Sequence, residues 1–293
     1  MNKLKEILLL KSIHRVGKAS IYNKYFEILC QSDNMDSLIE FLLSQGFFTE
    51  DVLKAAQENA EKIYEKITSV NGSSIITLFD DDFPAKLRVM DRRCPLFLFV
   101  KGNKGLLKNH GIAVIGTRKP SEWSKGVEHN LTSKIIELSD KTIISGLAHG
   151  CDRIAHESAL KYNGKTIAVL PTGTENIYPS DNIPLAENIL ENDGCILSEY
   201  MPNARCYNNT FIERDGVIAA LSDAVIAIEC AVHSGTMHTV DYALEYGTRI
   251  GCYKPDALSI TKGDYSGNEY MITKKNAIPL SNTNDLTAFL HGV

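Results

Sequence analysis

Three segments in the middle of the chain constrain its fold most strongly. They are GIAVIGTRKP from Gly111, TIISGLAHGCD from Thr142 and KTIAVLPTGTE from Lys165, and each runs several apolar, mostly β-branched residues into a glycine-containing turn. This pattern is typical of parallel strands that are buried on both faces of an open α/β sheet. Such sheets bind ligands at the carboxyl ends of their strands, where small turn residues and helix N-termini favour anions. The sequence therefore predicts an α/β protein with a phosphate-bearing ligand.

Composition limits the classes of protein that fit this sheet. The chain has 293 residues, of which 44% are hydrophobic, and its net charge is −5. A negative net charge argues against a protein that coats nucleic acid through bulk electrostatics, although it allows a local binding pocket. The apolar runs are shorter than the roughly 20 residues that span a bilayer, and the N-terminus MNKLKEILLLK lacks the features of a signal peptide. We therefore expect a cytoplasmic protein without a membrane partner.

The seven cysteines are scattered along the sequence and never form a CxxC pair. This spacing favours neither a disulfide framework nor a zinc site. No metal and no cofactor is expected from the sequence.

Apolar residues recur at intervals of three and four over residues 1–72, which predicts a small helical domain. Within it, SIHRVGKAS (Ser12 to Ser20) is a short loop with one glycine between apolar helices. It is either an ordinary turn between helices or a helix-hairpin-helix loop that offers backbone amides to a DNA phosphate. The second glycine that is usual in the latter motif is absent.

From Ser73 onward, apolar runs alternate with helical stretches, which predicts a second domain over 73–293 with a doubly wound, mostly parallel sheet. The predicted strands lie at 75–79, 96–100, 112–115, 142–144, 166–170, 195–198, 224–229 and 249–253, and the helices near 124–139, 152–163, 184–193, 212–221, 238–247 and 285–290. Ser266-Gly267-Asn268 is predicted as a turn.

Several polar residues follow these strands and are candidates for a ligand site. Arg118 comes after the Gly116-Thr117 turn, so its guanidinium should lie at the carboxyl edge of the sheet and could bind a phosphate in a bidentate manner. The Ser234-Gly235-Thr236 turn precedes a helix and is a candidate anion site. An ion pair with a nearby carboxylate is the alternative for Arg118.

Together these segments resemble the DprA/Smf family of DNA-processing proteins. The similarity rests on GTR at 116–118, SGLAHGCD at 145–152, YPSDN at 178–182, LSEY at 197–200, F-x-x-R at 211–214 and SGTMHTVDYALEYG at 234–247. It implies an extended Rossmann-like core over 73–293, and the helical N-terminus is similar to the small leading domain of that family, of the SAM or helix-hairpin-helix type. It also implies a homodimer that binds single-stranded DNA and loads the recombinase RecA in natural transformation, without catalysis.

The resemblance also implies which residues face DNA or a nucleotide. This set is Gly116, Thr117, Arg118, Ser145, Gly146, His149, Gly173, Thr174, Asn182, Arg214, Ser234, Gly235 and Thr236. The chain has His149 where the family has arginine, and Asp215-Gly216 where it has asparagine and arginine, so each of these positions makes the site less positive.

Two other functions fit the same sheet edge. One is a sensor that binds a nucleotide-like signal, which the acidic substitutions favour. The other is a nucleotide hydrolase that resembles the cytokinin-activating phosphoribohydrolases, in which a glutamate follows the glycine-threonine turn. Here Met237 follows Gly235-Thr236, so that carboxylate is missing.

Overall fold

A computed structural model describes residues 3–293 of the chain. Its N-terminal part is helical: α1 (Leu4–Ser12), α2 (Lys18–Ser20), α3 (Phe26–Gln31), α4 (Met35–Ser44) and α5 (Glu50–Thr68), with a π-helical turn Ile21–Tyr25 between α2 and α3. Asn34 caps α4, because its side chain accepts a hydrogen bond from the backbone amide of Ser37 while the Ser37 hydroxyl accepts one from Asn34. The predicted loop at 12–20 connects α1 to α2.

The remainder of the described chain contains one nine-stranded sheet. Its strands are β1 (Ser73–Thr77), β2 (Phe97–Gly102), β3 (Gly111–Ile115), β4 (Thr142–Ser145), β5 (Thr166–Val169), β6 (Cys195–Ser198), β7 (Ala224–Ala227), β8 (Arg249–Tyr253) and β9 (Ile278–Leu280). They lie in the order β1-β2-β6-β5-β4-β3-β7-β8-β9. Strands β3 to β9 are parallel, β2 pairs with β6 in antiparallel orientation, and β1 pairs with β2 in antiparallel orientation. The predicted mostly parallel, Rossmann-like sheet is therefore confirmed.

Helices cover both faces of this sheet. They are α6 (Glu122–Leu138), α7 (Cys151–Lys161), α8 (Ile183–Glu191), α9 (Asn208–Leu221), α10 (Thr236–Glu245), α11 (Ser266–Lys274) and α12 (Thr283–His291), with short 3₁₀ segments at Ala85–Arg93, Lys104–Lys108, Ser180–Asn182 and Ser259–Lys262. None of the helices within residues 3–293 is both long enough and apolar enough to cross a membrane.

The alternation of side chains along the central strand divides the core into two layers. Ile112 and Val114 pack with the apolar side chains of α6, α7 and α12, whereas Ala113 and Ile115 pack with those of α9 and α10. The N-terminal helices form a third cluster that includes Phe97 and Phe99 of β2. The helical part is thus attached to the antiparallel edge of the sheet.

One segment differs from its predicted structure. The turn expected at Ser266-Gly267-Asn268 is instead the first turn of α11. Asn268 is buried there, and its side-chain amide donates to the carbonyls of Ile228 and Tyr253 at 2.8 and 2.9 Å. These bonds connect α11 to the residue after β7 and to the last residue of β8, so the polar Ser-Gly-Asn sequence serves long-range packing and not a surface turn.

Candidate nucleic-acid interface

A cleft opens at the carboxyl ends of β3 and β7. The chain leaves β3 toward α6 on one face of the sheet and leaves β7 toward α10 on the other, so the two connections diverge. The cleft has a volume of about 560 Å³. Its lining residues are Ile115, Gly116, Thr117, Arg118, Ala148, Asp152, Asn208, Phe211, Ile212, Arg214, Asp215, Ile218, Ser234, Gly235, Thr236, His238 and Thr239.

The loop that carries Arg118 is fixed by its neighbours. The Thr117 amide donates to the Glu229 carbonyl at 2.7 Å, and the Cys151 amide donates to the Thr117 carbonyl at 3.1 Å. Gly150 has φ +73°, and a Cβ at this position would lie 2.4 Å from the Thr117 carbonyl oxygen. Only glycine therefore allows the start of α7 to approach this loop so closely.

Arg118 lies at the mouth of the cleft. Its side chain is exposed, and its guanidinium carbon lies 5.3 Å from the centre of the Phe211 ring. Within residues 3–293 it forms no ion pair with a carboxylate. The cation–π contact orients the guanidinium while leaving its N–H groups available to an anion.

The Ser234-Gly235-Thr236 turn forms the opposite wall. Helix α10 begins at Thr236, so its first backbone amides lie at this wall without a side-chain cap. A Cβ built on Gly235 would have no atom within 4 Å, which shows that the turn is open. The partial positive charge of a helix N-terminus thus adds to the positive charge of Arg118 at the same cleft.

Arg214 lies at the floor of the cleft and is almost completely buried, with 5% of its surface exposed. Its Nη1 donates to the carbonyls of Gly146 and Val169, and its Nε donates to Asp215 Oδ1 at 3.0 Å. These bonds hold the carboxyl ends of β4 and β5 against α9. Arg214 therefore faces the cleft while most of its hydrogen-bonding capacity is used internally.

Two carboxylates accompany Arg214 at the floor. Burial raises the pKa of Asp215 to about 6, although the charge of Arg214 opposes this shift. Burial also raises the pKa of Asp152, and the charge of Arg214 again opposes this shift. The Asp152 carboxylate accepts a hydrogen bond from the Ala148 amide at 3.3 Å. The floor is consequently more acidic than the rim, where Arg118 and α10 lie.

The structure places the predicted site residues in two groups. Those on the cleft surface are Gly116, Thr117, Arg118, Arg214, Ser234, Gly235 and Thr236. The others lie outside its lining and are Ser145, Gly146, His149, Gly173, Thr174 and Asn182.

The second group mostly supports the loops around the cleft. The Ser145 hydroxyl donates to the Val114 carbonyl, and the Asn182 amide donates to the Leu147 carbonyl at 2.8 Å. A Cβ on Gly146 would lie 1.8 Å from Arg214 Nη1. The backbone amide of Gly173 donates to the Ala204 carbonyl, and the following residue, Thr174, is buried. His149 differs from these residues because it is exposed, with its Nε2 atom 3.9 Å from Asp181 Oδ2.

Several residues that line the cleft were not indicated by the sequence patterns. Phe211 and Ile212 supply an apolar wall from the first turns of α9, and Asp152 and His238 add polar groups from α7 and α10. The F-x-x-R motif contains Phe211, so its spacing of three residues before Arg214 was a usable signal. No local pattern indicates that Asp152 turns toward the same cleft. Within the described residues, no group of three or more His, Cys, Asp or Glu side chains is arranged to hold a metal ion.

Comparison with known proteins identifies the family. The family model for DNA recombination-mediator protein A matches residues 74–291. The DNA processing protein DprA of Streptococcus pneumoniae is 33% identical over 251 residues, which cover 81% of this chain and 84% of that protein.

Solved structures agree with this match. The X-ray structure of DprA from Streptococcus pneumoniae superposes with a TM-score of 0.70 at 26% identity, covering 98% of this chain and 93% of that one. A Helicobacter pylori DprA structure, described for its single-stranded DNA binding mode, superposes with a TM-score of 0.65 at 28% identity and covers 75% of this chain and 96% of that one. The chain therefore belongs to the DprA/Smf family of DNA-processing proteins.

Proposed function

We propose that this protein binds single-stranded DNA in the cleft between the β3 and β7 loops and acts as a DNA-processing protein in natural transformation. The observation that carries the proposal is the position of Arg118. It is a cation without a carboxylate partner in the described chain, and it shares the cleft with the uncapped N-terminus of α10. Two separate sources of positive potential at one cleft suit a phosphodiester backbone.

In this proposal the rim residues contact the backbone of the strand. Arg118 pairs with a phosphate, and the backbone amides of Gly235 and Thr236 at the start of α10 supply further donors. The remaining predicted site residues lie behind this rim and support the loops around the cleft. Ser145, Gly146, Asn182 and Arg214 hold the β4 and β5 loops in place through the bonds described above, and His149, Gly173 and Thr174 lie along the neighbouring loops.

The same reasoning extends to partners and domain roles. The family resemblance supports loading of the recombinase RecA onto the bound strand and self-association as a homodimer. It also supports a division into a helical leading domain over 1–72 and a DNA-binding domain over 73–293. The strand at Ser73, directly after the helical part, is consistent with that boundary.

We propose binding without catalysis. A hydrolase of the phosphoribohydrolase type needs a carboxylate after the glycine-threonine turn. In this chain that position is Met237, which is buried. Turnover of a nucleoside monophosphate by the purified protein would contradict this part of the proposal.

The test is a fluorescence titration of a labelled single strand at several salt concentrations. We expect Arg118→Ala to weaken binding and to reduce the slope of log affinity against log salt by about 1, because one phosphate contact is lost. Lys134→Ala is the matched control, since Lys134 is a half-buried cation on α6 that pairs with Glu137 away from the cleft. An equal effect of both variants would refute the role of Arg118.

A second titration separates the nucleotide-sensor alternative. Deoxynucleoside monophosphates should compete only weakly with the strand, because a single nucleotide cannot occupy several phosphate contacts at once. Tight binding of a mononucleotide together with no binding of single strands would favour the sensor and refute the DNA proposal.

A further inference from the structure

The loop that carries Arg118 is held at both of its ends by one residue, Glu229. This residue lies just after β7 and is buried, with 4% of its surface exposed. At the start of the loop, its backbone carbonyl accepts a hydrogen bond from the Thr117 amide at 2.7 Å. At the end of the loop, its Oε2 accepts from the Ser121 amide at 3.0 Å and from the Ser121 hydroxyl at 2.8 Å. Residues 118–120 therefore bridge two fixed points that both belong to Glu229.

The second carboxylate oxygen fixes Glu229 itself. Its Oε1 accepts from the Asp264 amide at 3.2 Å, in the segment between β8 and α11. A Cβ built on Gly263 would lie 2.7 Å from the Glu229 carboxyl carbon, so this segment closes tightly over the carboxylate. Each of these neighbours donates a hydrogen bond, which suits an ionised carboxylate because its oxygens only accept. The side chain is thus held in one orientation.

Ser121 connects this arrangement to helix α6. Ser121 is the N-cap of α6, and its hydroxyl accepts from the Ser124 amide at 3.2 Å while it donates to Glu229. The partial positive charge of the helix N-terminus also stabilises a nearby carboxylate. Removing the carboxylate would leave the Ser121 amide without its acceptor and would release the loop at that end.

We propose that Glu229 is a positioning residue for DNA binding, which holds the 116–121 loop so that Arg118 lies at the mouth of the cleft. This inference rests on the proposed DNA-binding function. Glu229 is not part of the cleft lining, so it acts through the loop and not by contact with the strand. Arg118 is exposed, and its position depends on the backbone that carries it. A cation that is fixed in advance loses less conformational entropy when it binds a phosphate.

The charge of Glu229 and its positioning role predict opposite effects of its removal. A carboxylate near the rim repels phosphates, so its loss would strengthen DNA binding if only its charge mattered. If Glu229 positions Arg118, its loss weakens binding although a negative charge has been removed. The sign of the change therefore distinguishes the two roles.

The test is a salt titration of a labelled thymidine oligonucleotide with the wild type, Arg118→Ala, Glu229→Ala and the double variant. We expect Glu229→Ala to weaken binding about three- to tenfold, within the range of coupling between residues that share a network. The slope of log affinity against log salt should fall by up to about 1, because one phosphate contact is impaired. The double variant should bind no more weakly than Arg118→Ala, since Glu229 acts through Arg118.

Two conservative substitutions keep the result independent of general unfolding. Glu229→Gln retains one acceptor and should recover most of the affinity that alanine loses, with its oxygen facing the two donors of Ser121. Ser121→Ala leaves Glu229 in place but removes the hydroxyl bond, so it should weaken binding by a smaller factor than Glu229→Ala does.

Asp223→Ala is the matched control. Asp223 directly precedes β7 at the opposite edge of the sheet, where its carboxylate accepts from the Gly111 amide at 2.8 Å and pairs with Lys86 at 2.6 Å. Its loss should lower the free energy of unfolding without weakening DNA binding, because the loop at 116–121 is not attached to it.

The outcomes separate this inference from the function on which it rests. If the wild type binds no strand, or if Arg118→Ala binds as tightly as the wild type, the proposed function is refuted. If Arg118→Ala weakens binding but Glu229→Ala leaves it unchanged or strengthens it, the role of Glu229 is refuted. Losses that multiply in the double variant would also overturn it, as would an equal loss in Asp223→Ala or a Glu229→Gln protein that binds as weakly as Glu229→Ala.

Discussion

Replacing Asp215 by asparagine is expected to stabilise the protein, and the gain should grow as the pH rises. Burial raises the pKa of Asp215 from 3.8 to about 6, so the folded protein binds this proton more tightly than the unfolded chain does. A carboxyl group whose pKa is raised by folding stabilises the folded protein at pH values below its pKa in the unfolded chain. This contribution is lost as the pH rises through its pKa in the folded protein. Above about pH 7 the ionised Asp215 is therefore a net cost to folding.

The magnitude follows from the two pKa values. Their difference corresponds to about 3 kcal/mol, since each tenfold change in proton affinity is about 1.4 kcal/mol. Asparagine resembles the protonated carboxyl group in shape and charge, so Asp215→Asn should remove this cost. We expect the free energy of unfolding of the variant to exceed that of the wild type by about 3 kcal/mol near pH 8 and to differ little near pH 4.

Urea unfolding of both proteins across this pH range measures the difference. Asp241→Asn is the control, because Asp241 lies on α10, pairs with Lys275 and is mostly exposed, so its substitution should change stability little at any pH. A constant difference between wild type and Asp215→Asn from pH 4 to pH 8 would refute the reasoning. A variant that is less stable at high pH would show that the attraction between Asp215 and Arg214 outweighs the desolvation of the carboxylate.

Two further predictions concern the support of the cleft. Gly146→Ala should lower the free energy of unfolding in urea by about 1–3 kcal/mol, because its Cβ would overlap Arg214 Nη1. Gly235→Ala is the control and should be nearly neutral, since a Cβ there meets no atom within 4 Å. Equal effects of the two substitutions would contradict the packing of Gly146 against Arg214. Lys18→Met should destabilise the contact between the helical part and the sheet by up to about 3 kcal/mol, since it leaves the buried Glu199 without the cation that lies 2.9 Å away. Faster protease cleavage in the segment 69–72 would report this change, and an unchanged rate would contradict it.

Much of the fold could be predicted because its signals are local. The apolar runs of β3, β4 and β5 are uninterrupted, and the helices between them repeat at three and four residues, so both types of element follow from periodicity. Strand β9 was not predicted, because it has three residues and includes Pro279. The helix at Ser266–Lys274 was also missed, since the role of Asn268 depends on carbonyl groups of distant strands.

The site could be predicted only in part for the same reason. Arg118 follows a strand directly, so topology alone places it at the carboxyl edge of the sheet. Arg214 was expected to face DNA, but how much of its guanidinium is free depends on the Gly146 and Val169 carbonyls, which only the folded sheet brings together. Asp152 and Asp215 likewise come to one cleft only because α7 on one face of the sheet and α9 on the other both reach its carboxyl edge.

The central claim is that a single strand passes between Arg118 and the N-terminus of α10. A crystal structure of the protein with a bound oligonucleotide tests it most directly. We predict a backbone phosphate within about 4 Å of the Arg118 guanidinium, the usual limit of an ion pair, with the Ser234–Thr236 turn facing the same strand. A strand bound on another surface, with the cleft unoccupied, would contradict the account.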